Sequence, residues 1–400
     1  MLRVLYINNS GLFGGGERSL LELLKTFDRD VITPFFISPN GNVSERFEEN
    51  NISSLSTIGI SQFDNTLYSH YRKSRWLILL REIFYLPFTY RILKKAKKEW
   101  GKMDILHFNE ITLLPAIILS KYVYSQTPIV IHVRSVQNNY KTFISRKIYS
   151  FLRKNNFHLI AIDESVKKSL PFKDLKVEII HNSMNLNKLI IDLSKKPSEK
   201  EEQTLKLGYV GNFQRLKGIM ELLKGFDLAL KSGMNVKLYL VGHRATKTSI
   251  IRNILNFFQI NQDLGMKVLD YINENRLSEN IVMKDFTFDI AECYKDFDVL
   301  CFPSCLNACG RPVFEAAFFN IPSIVAINET KIDTIEHMKT GICISNNSPS
   351  TISEAIKFCY NNREKVIEMG KNAKKLAITN FDIQTASEKI INTYKIIAKK

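Results

Sequence analysis

Residues 298–327, DVLCFPSCLNACGRPVFEAAFFNIPSIVAI, set out in one run a strand, a glycine-bearing loop, a short helix and a second strand. Val299 to Phe302 is apolar and short enough for a buried parallel strand. Pro303 ends it, because proline lacks the ladder N–H and fixes φ. Pro312 suits the first turn of a helix, where its missing N–H would have had no partner. The unpaired N–H groups of that turn, with the positive end of the helix dipole, face whatever the loop 304–311 encloses, and the matching occupant is an anion. Glu315 stands one turn in. There the dipole favours a carboxylate that can accept hydrogen bonds from sugar hydroxyls beside a bound phosphate.

Outward from this stretch the same alternation recurs. Near the N-terminus, residues 4–8 read as a strand, 11–16 as a glycine-rich turn and 18–27 as a helix carrying Leu20, Leu21, Leu23 and Leu24. Further strands are expected at 33–38, 105–108, 129–133, 159–162 and 177–180. A second series is expected at 206–210, 236–241, 281–283, 299–302 and 323–327. Between the two series, SKKPSEKEEQT at 194–204 has no apolar residue and reads as a linker. The fold class is therefore α/β, with two Rossmann-like domains at 1–193 and 205–380. The 400 residues are too many for one ordinary core and suit two. Residues 381–400 make a separate terminal segment, helical from 388.

The 298–327 stretch resembles the donor-binding signature of the GT-B glycosyltransferases. The match is to the large retaining "group 1" or family 4 type, which includes sucrose synthases and many bacterial lipopolysaccharide and capsule transferases. The family pattern E-G-F-G-L-P-x-x-E aligns with Asn307, Ala308, Cys309, Gly310, Arg311, Pro312, Val313, Phe314 and Glu315; the second glutamate is present and Asn307 replaces the first. A second motif, Gly211-Asn212-Phe213-Gln214-Arg215-Leu216-Lys217-Gly218, resembles the family turn G-R-x-x-x-x-K-G, with Asn212 where the arginine usually stands. Gly14-Gly15-Gly16-Glu17 resembles the N-terminal G-G-x-E loop, and His132 matches a strand-end histidine that contacts the transferred sugar. The resemblance implies a GT-B architecture with two domains facing a central cleft and the last helix returning to the first domain.

It also implies roles. Lys217 and Arg215 would hold the β-phosphate of a nucleotide-sugar donor, where fixed cations stabilise the charge of the leaving group. Glu315 would hold the ribose hydroxyls, and the Cys309–Arg311 backbone the phosphates and sugar. Asn212, Asn307 and Pro312 would complete the donor side, with Gly15 and Gly16 allowing close approach to the diphosphate and acceptor. The leaving phosphate would take the acceptor proton, so neither a protein base nor a metal cofactor is expected. No H-x-x-x-H or HExxH cluster occurs in the sequence. Gly14-x-Gly16-x-x-Ser19 nearly satisfies the dinucleotide fingerprint. The second strand, however, ends at Ile37-Ser38-Pro39-Asn40 without the carboxylate a ribose would need.

A net charge of +16 implies an anionic partner. Residues 71–102 concentrate it, with ten Lys or Arg, two Glu, and Trp76, Phe84, Tyr85, Phe88, Tyr90 and Trp100. That mixture suits peripheral contact with an anionic membrane surface, and a core helix with a solvated charged side is the alternative. No recognised nucleic-acid motif is present, so no nucleic-acid partner is expected. No apolar run reaches the length of a membrane span and MLRVLYINNS reads as a strand, so a cytoplasmic location is expected, at the inner face of the plasma membrane if the basic run binds lipid. The six cysteines all follow residue 292 in no zinc spacing and read as reduced thiols. The expected activity is sugar transfer to a lipid-linked or oligosaccharide acceptor in cell-surface polysaccharide synthesis. The alternatives are a nucleotide-sugar epimerase on the same scaffold and a silent nucleotide-sugar-binding protein.

Overall fold

The computed structural model describes residues 1–398 except 70, 72, 139–142, 156, 171–175, 186–203, 243–263, 286 and 288. The chain divides into two compact units: Met1–Asn185 with Phe381–Lys400 form unit 1, and Leu186–Asn380 form unit 2. The expected linker at 194–204 lies outside the described residues apart from Thr204.

Unit 1 is built on strands β1 (Leu2–Ile7), β2 (Ile32–Pro39), β3 (Ser53–Thr57), β4 (Ile105–Phe108), β5 (Ile129–Val133), β6 (His158–Ala161) and β7 (Val177–Ile179). They form a parallel sheet in the order β3-β2-β1-β4-β5-β6-β7. Strand alternation sends Val4, Tyr6, Phe36, Val130 and Ile160 to one face, against helices α1 (Gly15–Leu24) and α13 (Ile383–Ala398). Leu5, Ile7, Leu106, Phe108 and Ile131 go to the other, under α3 (Ile78–Trp100), α4 (Leu114–Val123) and α5 (Phe143–Lys154). Burial on both faces is why these strands are apolar runs rather than alternating ones. Short helices α2 (Asn42–Glu48) and α6 (Glu164–Ser169) complete the unit.

The terminal helix starts five residues before the expected 388, and it docks on unit 1. Tyr394 is fully buried, with its hydroxyl 2.9 Å from that of Tyr6 and 2.5 Å from Nδ1 of His107. Helix α1 starts at Gly15 rather than Arg18. The Glu17 side chain accepts from the Gly14 amide at 3.0 Å and so nucleates the turn from its third position.

Unit 2 carries β8 (Leu205–Val210), β9 (Val236–Val241), β10 (Ile281–Lys284), β11 (Val299–Phe302), β12 (Ser323–Ala326) and β13 (Gly341–Ile344). The sheet is again parallel, in the order β10-β9-β8-β11-β12-β13. Leu207, Tyr209, Leu238 and Leu240 pack against α7 (Ile219–Lys231), α8 (Gly265–Glu274) and α11 (Pro349–Asn361). Leu300, Phe302 and Val325 pack against α9 (Ile290–Tyr294) and α10 (Arg311–Phe318). Helix α12 (Arg363–Phe381) follows. In each sheet the strand order reverses beside the first strand of the unit, between β1 and β4 and between β8 and β11. Ligands of open parallel sheets settle at the carboxyl ends of strands at such a point.

Candidate functional site

At the unit 2 switch point, the loops after β8 and β11 are held as one piece. Arg215–Lys217 make a single 3₁₀ turn, ended by Gly218 at φ +72°. The Leu216 carbonyl in that turn accepts from the Cys305 amide at 3.0 Å and from the Ser304 hydroxyl at 3.1 Å. Gly218 presses on the other loop so closely that a Cβ would stand 1.9 Å from the Pro303 carbonyl oxygen. Both the left-handed φ and the contact exclude a side chain. Gly218→Ala is therefore expected to cost at least about 2 kcal/mol of unfolding free energy, read as a lower urea midpoint. A variant within about 0.5 kcal/mol of wild type would show that the two loops are not locked together.

The Phe302 ring, at the end of β11, links the two loops a second time. Lys217 Nζ lies 5.6 Å from its centroid, and a Cβ on Gly310 would stand 2.4 Å from its Cζ. Lys217 thus sits beside the ring that underlies the start of α10. It is half-buried and has no carboxylate partner among the described residues, and burial alone pushes its ammonium pKa down. Helix α10 begins after Gly310 with no side chain capping its first turn, and Pro312 lies in that turn. Arg215 is exposed on the 3₁₀ turn, and Asn212 is exposed with its carbonyl bound by the Tyr209 hydroxyl at 3.0 Å.

Glu315 and Arg311 stand differently from the sequence expectation. Arg311 Nε donates to Glu315 Oε1 at 2.6 Å, and the Tyr294 hydroxyl donates to Oε2 at 2.8 Å. The carboxylate is 5% exposed and belongs to a buried pair one helical turn long. Burial, and then the charge of Glu315, hold the Tyr294 hydroxyl well above its usual range. Asn307 has φ +45°, a conformation asparagine tolerates better than glutamate, and its Oδ1 accepts from the Asn328 amide at 2.8 Å. Its acceptor oxygen therefore anchors the loop to the segment after β12. Cys309 flanks Gly310 and is partly buried.

At the unit 1 switch point a polar chain joins residues far apart in sequence. Asn8 donates to Glu17 Oε1 at 3.1 Å, and Asn109 donates to Asn8 Oδ1 at 2.8 Å. Arg134 Nε donates to Asn109 Oδ1 at 2.8 Å, and its other nitrogens reach Asn182 Oδ1 at 2.5 Å and His132 Nδ1 at 3.3 Å. Gly15 and Gly16 lie in the first turn of α1. The Arg134 side chain is 3.7 Å from where a Cβ on Gly16 would stand, an ordinary contact.

His132 does not close its strand; Val133 does, and Arg134 occupies the strand-end place. His132 is 3% exposed. Burial, Arg134 and His107 hold its pKa well below the ordinary imidazole value, so it is neutral. An arginine can only donate, so Nδ1 accepts and the proton is on Nε2, which is buried without a hydrogen-bond partner among the described residues. A hollow that His132 helps line with Ser19, His181, Asn182 and Ser183, among others, is about 10 Å³, room for one water and not for a sugar. Sequence reasoning missed Arg134, Asn8, Asn109 and Glu110. The last is buried at the end of β4, and burial raises its pKa to about 7 against the opposing Ile111 amide at 2.8 Å. The polar run Asn109-Glu110 directly after an apolar strand was the available signal.

The family profile described as glycosyl transferases group 1 matches residues 191–376, nearly the span of unit 2. That match covers just under half of the chain, and it makes this segment similar to the group 1 glycosyl transferases. Among related proteins, the capsular polysaccharide biosynthesis glycosyltransferase CapM of Staphylococcus aureus is 26% identical over 254 residues, 60% of this chain and 62% of CapM. The poly(ribitol-phosphate) alpha-N-acetylglucosaminyltransferase of Staphylococcus aureus strain COL is 23% identical over 197 residues, 49% of this chain and 36% of that enzyme. The chain thus spans less than two thirds of either relative. Among solved structures, Anabaena HepE, crystallised with UDP and glucose, matches with a TM-score of 0.72 at 17% identity, covering 99% of this chain and 100% of HepE. That likeness places the chain in the GT-B fold, with two Rossmann-like domains.

Proposed function

We propose that this chain is a group 1 glycosyl transferase that moves a hexosyl residue from a nucleoside diphosphate sugar to a hydroxyl of a glycan acceptor, with retention of configuration and without a metal ion. The observation that carries the reading is Lys217: a half-buried cation without a carboxylate partner among the described residues, beside the uncapped first turn of α10 and on the same Phe302 ring. A diphosphate would supply the missing charge. In the transfer, the bond from the anomeric carbon to the β-phosphate oxygen breaks and one to the acceptor oxygen forms on the same face. The departing phosphate oxygen takes the acceptor proton. Lys217, exposed Arg215 and the Cys309–Arg311 backbone hold the growing negative charge, which is worth more in the transition state than in the ground state. Glu315 meets the ribose hydroxyls with the lone pairs that Arg311 and Tyr294 leave, and the Asn307 amide meets the sugar. His132 acts through one water in the hollow that it helps line.

HepE was crystallised with UDP, which favours a uridine donor here. CapM is named for capsular polysaccharide biosynthesis, and the second relative for transfer of N-acetylglucosamine to poly(ribitol-phosphate). From these names we infer a cell-surface polysaccharide acceptor carried on lipid. We further infer that the enzyme works in the cytoplasm, bound peripherally to the membrane through residues 71–102. No helix among the described residues is long and apolar enough to cross a membrane. In that region Trp76, Leu77, Leu80, Ile83 and Phe84 are exposed, as an interfacial surface requires.

Thermal-shift measurement against a panel of nucleoside diphosphate sugars tests the assignment. At a hundredfold excess over Kd, the correct donor adds about 2.7 kcal/mol to stability. Incubation of that donor without acceptor should give slow hydrolysis, and with acceptor a product of unchanged anomeric configuration. No stabilisation by any nucleotide sugar would remove the donor assignment, and epimerised donor would replace transfer with epimerisation.

A further inference from the structure

The C-terminal half of α3 and the end of α4 border an open surface hollow of about 310 Å³, lined by Tyr90, Lys94, Lys97, Lys98, Tyr122 and Val123. That volume is at the lower end of small-ligand sites. From Arg91 to Lys98 the helix carries five cations and no acid, and the next residue, Glu99, is engaged by Lys95 at 3.6 Å. Lys97 is committed to the framework: it donates to the Val123 carbonyl at the end of α4, and its Nζ lies 5.5 Å from the centroid of the Tyr124 ring. Lys94 lies 5.6 Å from the centroid of Tyr90, and neither it nor Lys98 meets a carboxylate among the described residues. Tyr122 is 77% exposed, presenting a hydroxyl and a ring at the rim.

Three turns and less toward the N-terminus of the same helix, Leu80, Ile83 and Phe84 make an exposed apolar stripe at helical spacing, continued by Leu77. The stripe needs an apolar medium and the hollow needs an anion. A phospholipid surface offers both within one helix length. We propose that the α3–α4 hollow is a headgroup site for an anionic phospholipid, with Lys94 and Lys98 holding the phosphate and Tyr90 and Tyr122 bounding it. The inference rests on the membrane-bound reading above and adds to it a defined site that includes α4, in place of a diffuse basic surface.

Co-sedimentation of the full chain with phosphatidylcholine vesicles, with and without phosphatidylglycerol, tests the site. K94Q/K98Q is compared with K371Q/K375Q, which removes the same charge at the same spacing from exposed positions of α12. The expected result is binding to phosphatidylglycerol vesicles roughly thirtyfold weaker for K94Q/K98Q and within about twofold of wild type for the control pair. Equal losses in the two variants would mean that net charge alone drives binding, and would overturn the site. L80S/F84S should weaken binding to both kinds of vesicle. Glycerol phosphate and inorganic phosphate distinguish the source of the anion: protection of Lys94 and Lys98 from amine labelling by these soluble anions, with no protection by vesicles, would overturn the lipid assignment. Wild-type donor hydrolysis, measured without vesicles, reports on the transfer reading separately, so failure of one leaves the other readable.

Discussion

Lys217→Met is expected to lower sugar transfer by about two to three orders of magnitude, the usual effect of deleting one group that stabilises developing negative charge. Unliganded, the variant should melt no lower than wild type. The two halves of this expectation have one cause. The ammonium is desolvated beside Phe302 and no carboxylate among the described residues repays it, so its charge opposes folding until an anion arrives. The sign follows from proton counting. A lysine whose native pKa lies below its ordinary 10.5 binds fewer protons folded than unfolded between those two values. Stability therefore rises with pH through that window, and the cost of the charge is fully present below it. In Lys217→Met this rise should flatten, and donor-induced stabilisation should shrink. A bound diphosphate reverses the sign by favouring the charged form, so wild-type donor affinity should weaken as pH climbs through the same window. If Lys217→Met melts well below wild type, the side chain is structural packing. If it turns over at near-normal rate, the phosphate assignment fails.

The site elements of unit 2 could be read from sequence because parallel strands buried on both faces are uninterrupted apolar runs. Val299–Phe302 and Ser323–Ile327 stand out against Pro303, Gly310 and Pro312. Strand β3, SSLST, could not. It is an edge strand with no residue fully buried, and its serines carry no apolar signal. Strand β13 was hidden similarly, since GICI is four residues long and begins with glycine. The polar chain of unit 1 was hidden for a different reason. Asn8, Glu17, Asn109 and Arg134 are brought together only because β1, β4 and β5 are neighbours in the sheet, and strand order is not written in local pattern. His132 was placed at a strand end by its likeness to the family's histidine. The strand runs one residue past it to Val133, and the half-buried Arg134, two residues on from His132, follows the strand's end. At Asn307 the sequence showed a missing carboxylate. The structure supplies a backbone reason, since a residue at φ +45° that also accepts from the Asn328 amide suits asparagine.

Glu315→Ala is expected to destabilise the protein by about 3–5 kcal/mol, because it removes the carboxylate paired with Arg311 in a nearly buried position and the acceptor of the Tyr294 hydroxyl. That corresponds to a melting temperature lower by about ten degrees, at roughly 2–4 °C per kcal/mol for a unit of this size. Loss of activity in this variant would therefore not separate donor binding from folding. The pair should be removed together. Replacing buried ion pairs by apolar residues of similar volume is often neutral or stabilising, so Arg311→Met with Glu315→Leu should recover most of the stability lost in Glu315→Ala. If Glu315 also meets the donor, the double variant will be folded and still show no thermal shift with a nucleoside diphosphate sugar that stabilises wild type. A double variant that is folded and binds donor with wild-type affinity would assign Glu315 to the support of α10 alone. A double variant no more stable than Glu315→Ala would mean that the Tyr294 hydroxyl, rather than the guanidinium, is the group that cannot be left unpaired. Tyr294→Phe in the same background measures that directly, and should recover about 1–3 kcal/mol if so.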